Sequence, residues 1–428
     1  MESGEQRYAL ARELVLTYGW NSTAYQILNP GIEHWFAAGN TAVVGYTRRG
    51  HVLLAAGSPV CAAASIESVC EQFEAFASAQ GCSVCYVCAD ERLPRPGHSV
   101  IAMGAQPVWN PQNWPRLAHI NHSLRCQLNR SRNKNVVVEA VDTCGAGVSA
   151  GMRRVLDEWL KGRTLPQLHF LVEPEILTGE QHRRSQAIHP RWERWLRRFR
   201  RWVFGEVERQ SEGLLHPPTS SRSSCNTPDR VILVARRWNR IVAFLVASPI
   251  PARNGYLVEL LARSRAAPNG TSELLIDTAM RRFAEAGREY ATLGLVALAH
   301  AADAEMSRNP IWLRAMMQFA RAHANRFYNF RGLEHFRTKL APQRWEPVYA
   351  VSSERRFSLQ TLYAMGAAFS GIPPWLAVGI GLAKAARSEF YCALHAMPRV
   401  WFWFKRLAIV DPTSARKASR SGGLYIKH

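Results

Sequence analysis

Acidic residues are scarce in this sequence. Its 428 residues include 33 Asp and Glu against 54 Lys and Arg, which gives a formal net charge of +21. Such an excess raises the local concentration of polyanions, and nucleic acid and anionic membrane surfaces are the usual ones. A compositional bias without functional meaning is the alternative, because charge alone does not specify function. Apolar residues make up 47% of the chain, which excludes disorder as a description of the whole.

Signals for secretion, disulfides and metal binding are also lacking. The first residues, MESGEQRYALARELV, contain no apolar signal core, which predicts a cytoplasmic protein. Nine cysteines are an odd count in a long chain and argue against a disulfide framework. Cys82, Cys85 and Cys88 are spaced like metal ligands, but no second Cys or His pair follows, so no metal is expected. Strand alternation would place Cys82 and Cys88 on one face and Cys85 on the other.

The order helix, hairpin, helix, strand occurs twice along the chain. This order predicts an α+β fold with two similar domains, residues 1–140 and 141–350. The elements behind it are a hairpin around Gly50, the helix Ile66–Ala79 and the strand Ser83–Cys88, then the strands Val231–Ala235, Ile241–Pro249 and Tyr256–Ala262 and the helix Ser272–Gly287.

Two segments have the composition of membrane-surface elements. An insertion at about 180–227 contains PRWERWLRRFRRWVF, a basic amphipathic pattern, and the tail 351–428 contains RVWFWFKRL after an uncharged stretch. Both predict peripheral association with the inner face of the cell membrane, and packing of these aromatics on the protein itself is the alternative. The aromatic residues concerned are Trp192, Trp195, Phe199 and Trp202 in the insertion and Trp401, Phe402 and Trp403 in the tail.

A basic helix is predicted between the two domains. The segment SLRCQLNRSRNKNV carries Arg125, Arg130 and Arg132 within one short helical stretch. These arginines either contact phosphates of a bound nucleic acid or form a solvated helix face.

Three segments together resemble one family. They are VELLARSRAAPNGTSELLIDTAM, ATLGLVAL and FYNFRGLEHFRTKLAPQRWEPVYA, and the resemblance covers about Gly19 to Ala350 without the insertion. The chain resembles the aminoacyl-phosphatidylglycerol synthases, also called the phosphatidylglycerol lysyltransferase C-terminal domain family. The resemblance implies tandem GNAT-like (acetyltransferase-like) domains that share a tunnel, with charged tRNA entering at one mouth and lipid at the other. Usual members carry an N-terminal membrane domain that this sequence lacks, so a free-standing transferase is expected.

The reaction implied by the resemblance is a transesterification. A lipid hydroxyl attacks the carbonyl of an aminoacyl ester, so the donor is already activated and no cofactor is expected. The protein must orient both groups, assist proton movement and stabilise an oxyanion. Phosphatidylglycerol and other hydroxyl lipids remain open as acceptors.

The resemblance also implies candidate catalytic residues. Glu259 holds the family's acidic position and is expected to bind the amino group or orient the hydroxyl. The family arginine three residues later is replaced by Ala262, and Arg263 can serve only if the strand is already turning there. Lys339 is expected to stabilise the oxyanion or contact the tRNA 3′ end, and Glu346 to pair with Lys339 or Arg331.

The remaining candidates are weaker. Asn269 and Gly270 form a turn before a helix whose N-terminus, capped by Thr271, could receive an anion, and a purely structural turn is the alternative. His300 is a possible general base. Arg331 and Arg337 suit phosphates, and Tyr328 could line the tunnel or belong to the core.

Three rival interpretations stay open. An acyl-CoA-dependent enzyme is disfavoured because APNGTS replaces the expected pyrophosphate turn. A peptidoglycan-bridge-type aminoacyltransferase would form an amide on a lipid-linked peptide. A non-catalytic basic protein that binds lipid or RNA is the third, with Ala262 as its indication of a decayed site.

Overall fold

One large mixed sheet organises the chain. The computed structural model describes residues 4–93, 96–141, 146–161, 229–323 and 330–370. The predicted insertion at 180–227, Tyr328, and the aromatics Trp192, Trp195, Phe199, Trp202, Trp401, Phe402 and Trp403 lie outside these ranges. Among the described residues, no helix has both the length and the apolar character needed to cross a membrane.

The strands lie in the order β1-β2-β3-β4-β12-β5-β10-β9-β8-β7-β6, with β11 pairing beside β5. They are β1 Glu33–Phe36, β2 Val43–Arg49, β3 Val52–Ala56, β4 Ser83–Ala89, β5 Ser99–Trp109, β6 Val136–Ala140, β7 Val231–Arg237, β8 Arg240–Ile250, β9 Gly255–Arg263, β10 Tyr290–Thr292, β11 Val296–Ala297 and β12 Arg344–Ser352. The helices are α1 Gly4–Tyr18, α2 Ile66–Ala79, α3 Trp114–Ile120, α4 His122–Arg132, α5 Ala146–Lys161, α6 Thr271–Glu285, α7 Asp303–Met306, α8 Ile311–His323, α9 Phe330–Lys339 and α10 Leu359–Ser370.

The two halves of the sheet repeat one topology. In the first, β1, β2 and β3 are antiparallel, and α2 leads to β4, which runs parallel to β3. In the second, β7, β8 and β9 are antiparallel, and α6 leads to β10, parallel to β9. A parallel pair needs such a crossover, and a helix supplies it in both halves. The α+β duplication predicted from the sequence is confirmed.

The halves exchange a strand. β5 follows β4 along the chain but pairs with β10, whereas β12 follows β10 but pairs with β4. β5 and β12 then pair with each other, from Arg344 opposite Val108 to Ser352 opposite Ser99. Each half is therefore completed by the other, and residues far apart in sequence meet along this seam.

Bulges interrupt the ladder at four positions. The registers leave Cys88 of β4, Met103 of β5, Val242 of β8 and Glu259 of β9 without a directly opposite partner. A bulge re-aims side chains, and Cys88 has a positive φ of 62°. Cys88 therefore shares a core cluster with Cys85, and the predicted separation of these two cysteines by alternation is wrong.

Helices cover both faces of the sheet. In the first half, α1 and α10 pack on one face and α2 on the other. In the second half, α3, α4 and α6 cover one face and α5 the other. The seam between β12 and β5 lies within this double cover and holds the polar groups described next.

Candidate functional site

A small polar cavity lies at the seam. Its volume is about 10 Å³, which is room for one water-sized group. The cavity lies where the end of β4, the middle of β5, the turn after β8 and the start of β12 converge. Its polar lining comes from Asn21, Ser22, Asp90, Glu91, Gln106, Arg253 and Glu346.

Glu346 is the centre of the hydrogen-bond network around this cavity. Its Oε2 accepts from Arg253 Nη1 at 2.6 Å, from the Tyr290 hydroxyl at 2.8 Å and from Gln106 Nε2 at 3.2 Å. Arg344 binds the other oxygen, Oε1, at 2.9 Å. Burial alone would raise the pKa of Glu346, but these partners hold the pKa below its usual range. The carboxylate is therefore ionised at neutral pH. Lys339, one of the two predicted partners of Glu346, pairs with Glu273 instead, and the pairing with Arg331 stays a prediction.

Arg253 is held on three sides. Its guanidinium lies over the Trp20 ring at 4.7 Å and over the Tyr290 ring at 4.5 Å, while Nη1 binds Glu346. Its buried Nε has no hydrogen-bond partner within the described residues. An arginine fixed in this way presents a cationic N–H donor at the cavity without further ordering.

Gln106 carries a buried oxygen without a partner. The residue is 6% exposed, and its Nε2 also donates to the Tyr290 hydroxyl at 3.1 Å. The amide cannot be reversed, because its oxygen would then face the Glu346 carboxylate. In the described part of the chain no donor reaches Gln106 Oε1. Leaving such an acceptor unsatisfied costs about 1–3 kcal/mol, so the cavity is suited to a group that donates hydrogen bonds.

Asp90 supplies a second anchored carboxylate. Arg92 binds it through Nε at 3.0 Å, and Asn21 and Ser58 donate to its Oδ2. Burial opposes ionisation, yet these bonds keep the pKa of Asp90 below its usual value. Two ionised carboxylates, Asp90 and Glu346, thus line one water-sized space.

An apolar cavity lies along the same strand. It has a volume of about 450 Å³ and is open to solvent along α10, and Met103 of β5 and Leu362, Met365 and Phe369 of α10 contribute to its lining. Met103 and Gln106 are three residues apart on β5, or about 10 Å. Cys88 and Val348 of the polar cavity belong to the core cluster that also contains Met365. The polar and the apolar cavity therefore border the same apolar cluster.

Glu259 lies in a buried ion pair. Its side chain is 3% exposed and that of Arg230 is 1% exposed, with 2.9 Å between Glu259 Oε1 and Arg230 Nε. Burial raises the pKa of Glu259, and the charge of Arg230 opposes that rise. Arg230 also donates to Asn29 at 3.0 Å and stacks on Tyr25, both in the first half. The pair therefore links the two halves.

Neither of the two cavities is lined by Glu259 or Lys339. A tunnel that joins these residues stays a prediction, as does the binding of substrate by Glu259. Lys339 Nζ lies 3.5 Å from Oε1 of Glu273, in the first turn of α6. The backbone carbonyl of Lys339 accepts a hydrogen bond from the Asn121 side chain. The structure thus brings Lys339 to the helix that follows Gly270 and keeps Glu346 with a different set of partners.

Two other predicted residues, His300 and Arg337, bind groups of the protein itself. His300 is exposed, and its Nδ1 lies 2.9 Å from Glu334 Oε2. Arg337 donates to the carbonyls of Gly294 and Leu293 at 2.7 and 2.6 Å, so its guanidinium is committed to the backbone rather than presented to phosphates. Arg331 lies in α9, but its side chain is outside the described residues.

Arg263 does not replace the arginine missing at Ala262. Arg263 is still part of β9 and pairs with Ala243 of β8, so the strand has not yet turned at this position. Ala262 is buried in the cluster that contains Leu260, whereas Arg263 is exposed. The shift by one residue therefore reverses the face.

The basic helix forms as predicted, over His122–Arg132. Arg125, Arg130 and Arg132 are exposed on it. Arg125 donates to the His119 carbonyl, and Arg132 lies 3.4 Å from the buried Asp277. The phosphate-binding role of this face stays a prediction.

Gly270 lies at the start of α6, where the chain passes close to α4. It has a φ of 94° and precedes Thr271, which begins α6, while Asn269 is exposed. A Cβ at Gly270 would lie 2.1 Å from the Gln127 carbonyl oxygen of α4. Thr271 does not cap the helix as predicted, because its hydroxyl donates to the Pro268 carbonyl at 2.7 Å.

Gly270→Ala is expected to lower the free energy of unfolding by about 3 kcal/mol or more, because backbone strain and overlap with α4 add together. Gly287→Ala is the matched control. Gly287 has a φ of 69° but nothing within 4 Å of the added Cβ, so only about 1 kcal/mol should be lost. Urea unfolding of both variants measures the difference, and equal losses would show that the approach of α4 is not the constraint.

Of the polar residues at the site, the sequence analysis identified Glu346 and did not identify Gln106, Arg253, Tyr290 or Asp90, nor the lining residues Asn21, Ser22 and Glu91. The turn segment PARNG gave a visible signal for Arg253, since it places a cation in a short turn between two predicted strands. Gln106, Tyr290 and Asp90 lie in or beside apolar strands and give no local signal. In the described residues, no group of three or more His, Cys, Asp and Glu side chains is placed to hold a metal ion.

The duplicated sheet defines the class of fold, a tandem GNAT-like fold. The chain belongs to the phosphatidylglycerol lysyltransferase C-terminal family, whose model matches residues 12–189 and 220–352. No curated protein matches it. The C-terminal domain of a putative lysylphosphatidylglycerol synthetase from Agrobacterium fabrum has 18% identity and a TM-score of 0.62, and the match covers 86% of this chain and 98% of that one. L-PGS from Bacillus licheniformis has 16% identity and a TM-score of 0.62, with 84% and 95% covered.

Proposed function

We propose that this protein transfers an aminoacyl group from a charged tRNA to a hydroxyl of a membrane lipid. The unpartnered oxygen of Gln106 in the seam cavity carries the proposal, because an aminoacyl ester brings a hydrogen-bond donor of the right size. The α-ammonium group is about as large as a water molecule, and the Asp90 and Glu346 carboxylates attract its charge. Membership of the phosphatidylglycerol lysyltransferase family supports the same reaction.

Each group of the cavity then has a role. The ammonium group donates to Gln106 Oε1, which otherwise lacks a donor. Arg253 donates its Nε–H to the ester carbonyl oxygen, where negative charge develops as the lipid hydroxyl attacks. The hydroxyl oxygen forms the new ester bond, the ribose oxygen leaves, and the hydroxyl proton passes to that leaving oxygen.

The apolar cavity supports a lipid acceptor. Its lining by Met103, Leu362, Met365 and Phe369 suits the hydrocarbon part of a lipid whose hydroxyl must reach the polar cavity. We place the protein at the inner face of the cell membrane, where such a lipid is available. The aromatic segments of the insertion and tail are the proposed membrane contacts.

Gln106→Met is expected to lower kcat/KM for transfer by about 10- to 100-fold, because methionine keeps the volume but cannot accept from a charged donor. Labelled charged tRNA and total membrane lipid are incubated with the protein, and the lipid fraction is counted. Gln72→Met, on the exposed face of α2, is the control and should leave transfer unchanged.

The products decide between ester and amide. A hydroxyl-lipid ester is cleaved by mild alkali, whereas the amide made by a peptidoglycan-bridge-type enzyme survives. Alkali-stable product would replace this proposal with the amide-forming reaction. Absence of transfer from any charged tRNA would favour a non-catalytic binding protein.

A further inference from the structure

The tip of the β7–β8 hairpin exposes a tryptophan in an unfavourable backbone conformation. Arg237 and Arg240 close a turn of two residues, Trp238 and Asn239, whose φ values are 51° and 62°. Such a turn needs positive φ at both positions and favours Asn or Gly, not a bulky aromatic residue. Trp238 is also 73% exposed, so it contributes little to the core. Neither the turn nor the packing accounts for a tryptophan here.

An arginine lies on each side of this tryptophan along the hairpin. Arg237 and Arg240 flank it in the strands, and Arg237 Nε donates to the Lys134 carbonyl at 3.1 Å. That bond fixes the hairpin against the segment after α4, where Lys134 is exposed, and Arg130 is exposed in the last turn of α4. We call Arg130, Lys134, Arg237, Trp238 and Arg240 the tip surface.

We propose that the tip surface binds RNA, with Trp238 stacking on an unpaired base and the cations contacting neighbouring phosphates. Stacking on an aromatic ring combined with phosphate contacts is the usual way in which single-stranded segments are held. The inference rests on the proposed function only in naming that RNA as the tRNA donor. RNA binding by the tip surface can be measured without any transfer.

Apolar area argues against a membrane contact here. Insertion into a lipid surface scales with the apolar area buried, and the tip offers one ring between arginines. The apolar cavity lies in the other half, where α10 packs on the core formed by β2 and β3. A lipid contact would be expected near that cavity rather than at the β7–β8 tip.

The tip surface lies far from the aminoacyl end of the donor. Trp238 precedes β8, whereas Arg253 of the polar cavity follows it, and the strand has 11 residues, or about 36 Å. Trp238 therefore contacts the body of the RNA while its aminoacylated end occupies the cavity. Transfer from a short aminoacylated donor that lacks the body of the tRNA should therefore be unaffected by substitution of Trp238.

The experiment measures binding of unfractionated, uncharged tRNA by the full chain. Trp238→Asn should weaken binding about tenfold, because stacking is lost, and should not lower the melting temperature, because asparagine suits the turn. Trp312→Ala, an exposed tryptophan on α8, is the matched control and should bind as the wild type does. Co-sedimentation with phosphatidylglycerol-containing vesicles should be the same for all three proteins.

Two results would overturn the inference. One is tRNA binding by Trp238→Asn within twofold of wild type. The other is a loss of vesicle binding by Trp238→Asn while tRNA binding persists, which would make the tip a lipid contact. If Trp238→Asn loses tRNA binding and the wild type transfers nothing, the proposed function fails and the RNA surface stands. If the wild type transfers aminoacyl groups but Trp238→Asn binds tRNA as tightly as the wild type, only the assignment of the tip surface to RNA is refuted.

Discussion

Arg253→Met is expected to lower kcat/KM for aminoacyl transfer by about 100- to 1000-fold. The variant removes the cationic Nε–H donor that is proposed to meet the developing oxyanion, and loss of one such donor has this magnitude. Arg253→Lys is the informative companion, because lysine keeps the charge but lacks both the Nε–H and the planar group stacked between Trp20 and Tyr290. Both variants are assayed with labelled charged tRNA and membrane lipid.

The pH profile distinguishes this role from a structural one. Although burial opposes ionisation, the hydrogen bond and charge of Arg253 help to hold the pKa of Glu346 below its usual range. Without Arg253 that pKa rises, so the acid limb of the activity profile should move to higher pH. A full rate in Arg253→Lys, or an unmoved acid limb in Arg253→Met, would contradict the assigned role.

Arg230→Met is expected to lower the free energy of unfolding by about 3–5 kcal/mol, because it leaves the buried Glu259 carboxylate without its partner. The double variant Arg230→Met, Glu259→Leu should recover most of that loss, since a buried pair replaced by apolar residues is nearly neutral. Denaturant unfolding measures both. Arg308→Met, which breaks an exposed pair with Glu305, is the control and should cost less than about 1 kcal/mol.

The loss in Arg230→Met should depend on pH with a defined sign. Burial raises the pKa of Glu259 in the folded protein, and removal of the opposing Arg230 charge raises it further. A carboxyl group whose folded pKa is raised favours the folded state at low pH, and that contribution is lost as pH rises through the folded pKa. The destabilisation should therefore be larger at pH 8 than at pH 5. A loss that does not vary with pH would show that Glu259 is not the group left uncompensated.

The regular elements were largely predictable because their signals are local. The helix predicted over Ile66–Ala79 has those bounds, and the hairpin around Gly50 forms as β2 and β3. The strands that form the seam were missed for an equally local reason. β5 contains Gly104 and Pro107, and β12 contains Pro347, residues that weaken a strand signal.

The site was less predictable than the fold. Glu346 was singled out by its motif, but its partner Arg253 lies 93 positions away and Gln106 lies 240 away. Glu259 was singled out as well, yet no local pattern distinguishes a carboxylate lining a cavity from one paired with Arg230 in the interior. Whether Arg263 could replace the arginine missing at Ala262 depended on where β9 ends. The strand continues through Arg263, so the two side chains point to opposite faces.

The sequence by itself determined the basic character, the repeated order of elements and the family motifs, because charge, periodicity and short motifs are properties of neighbouring residues. The tertiary structure alone decided which charges meet. The exchange of β5 and β12 brings Gln106, Arg253 and Glu346 to one cavity, and the contact of Tyr25 and Asn29 with Arg230 places Glu259 in the interior. These pairings depend on strands that are neighbours in space and not in the chain.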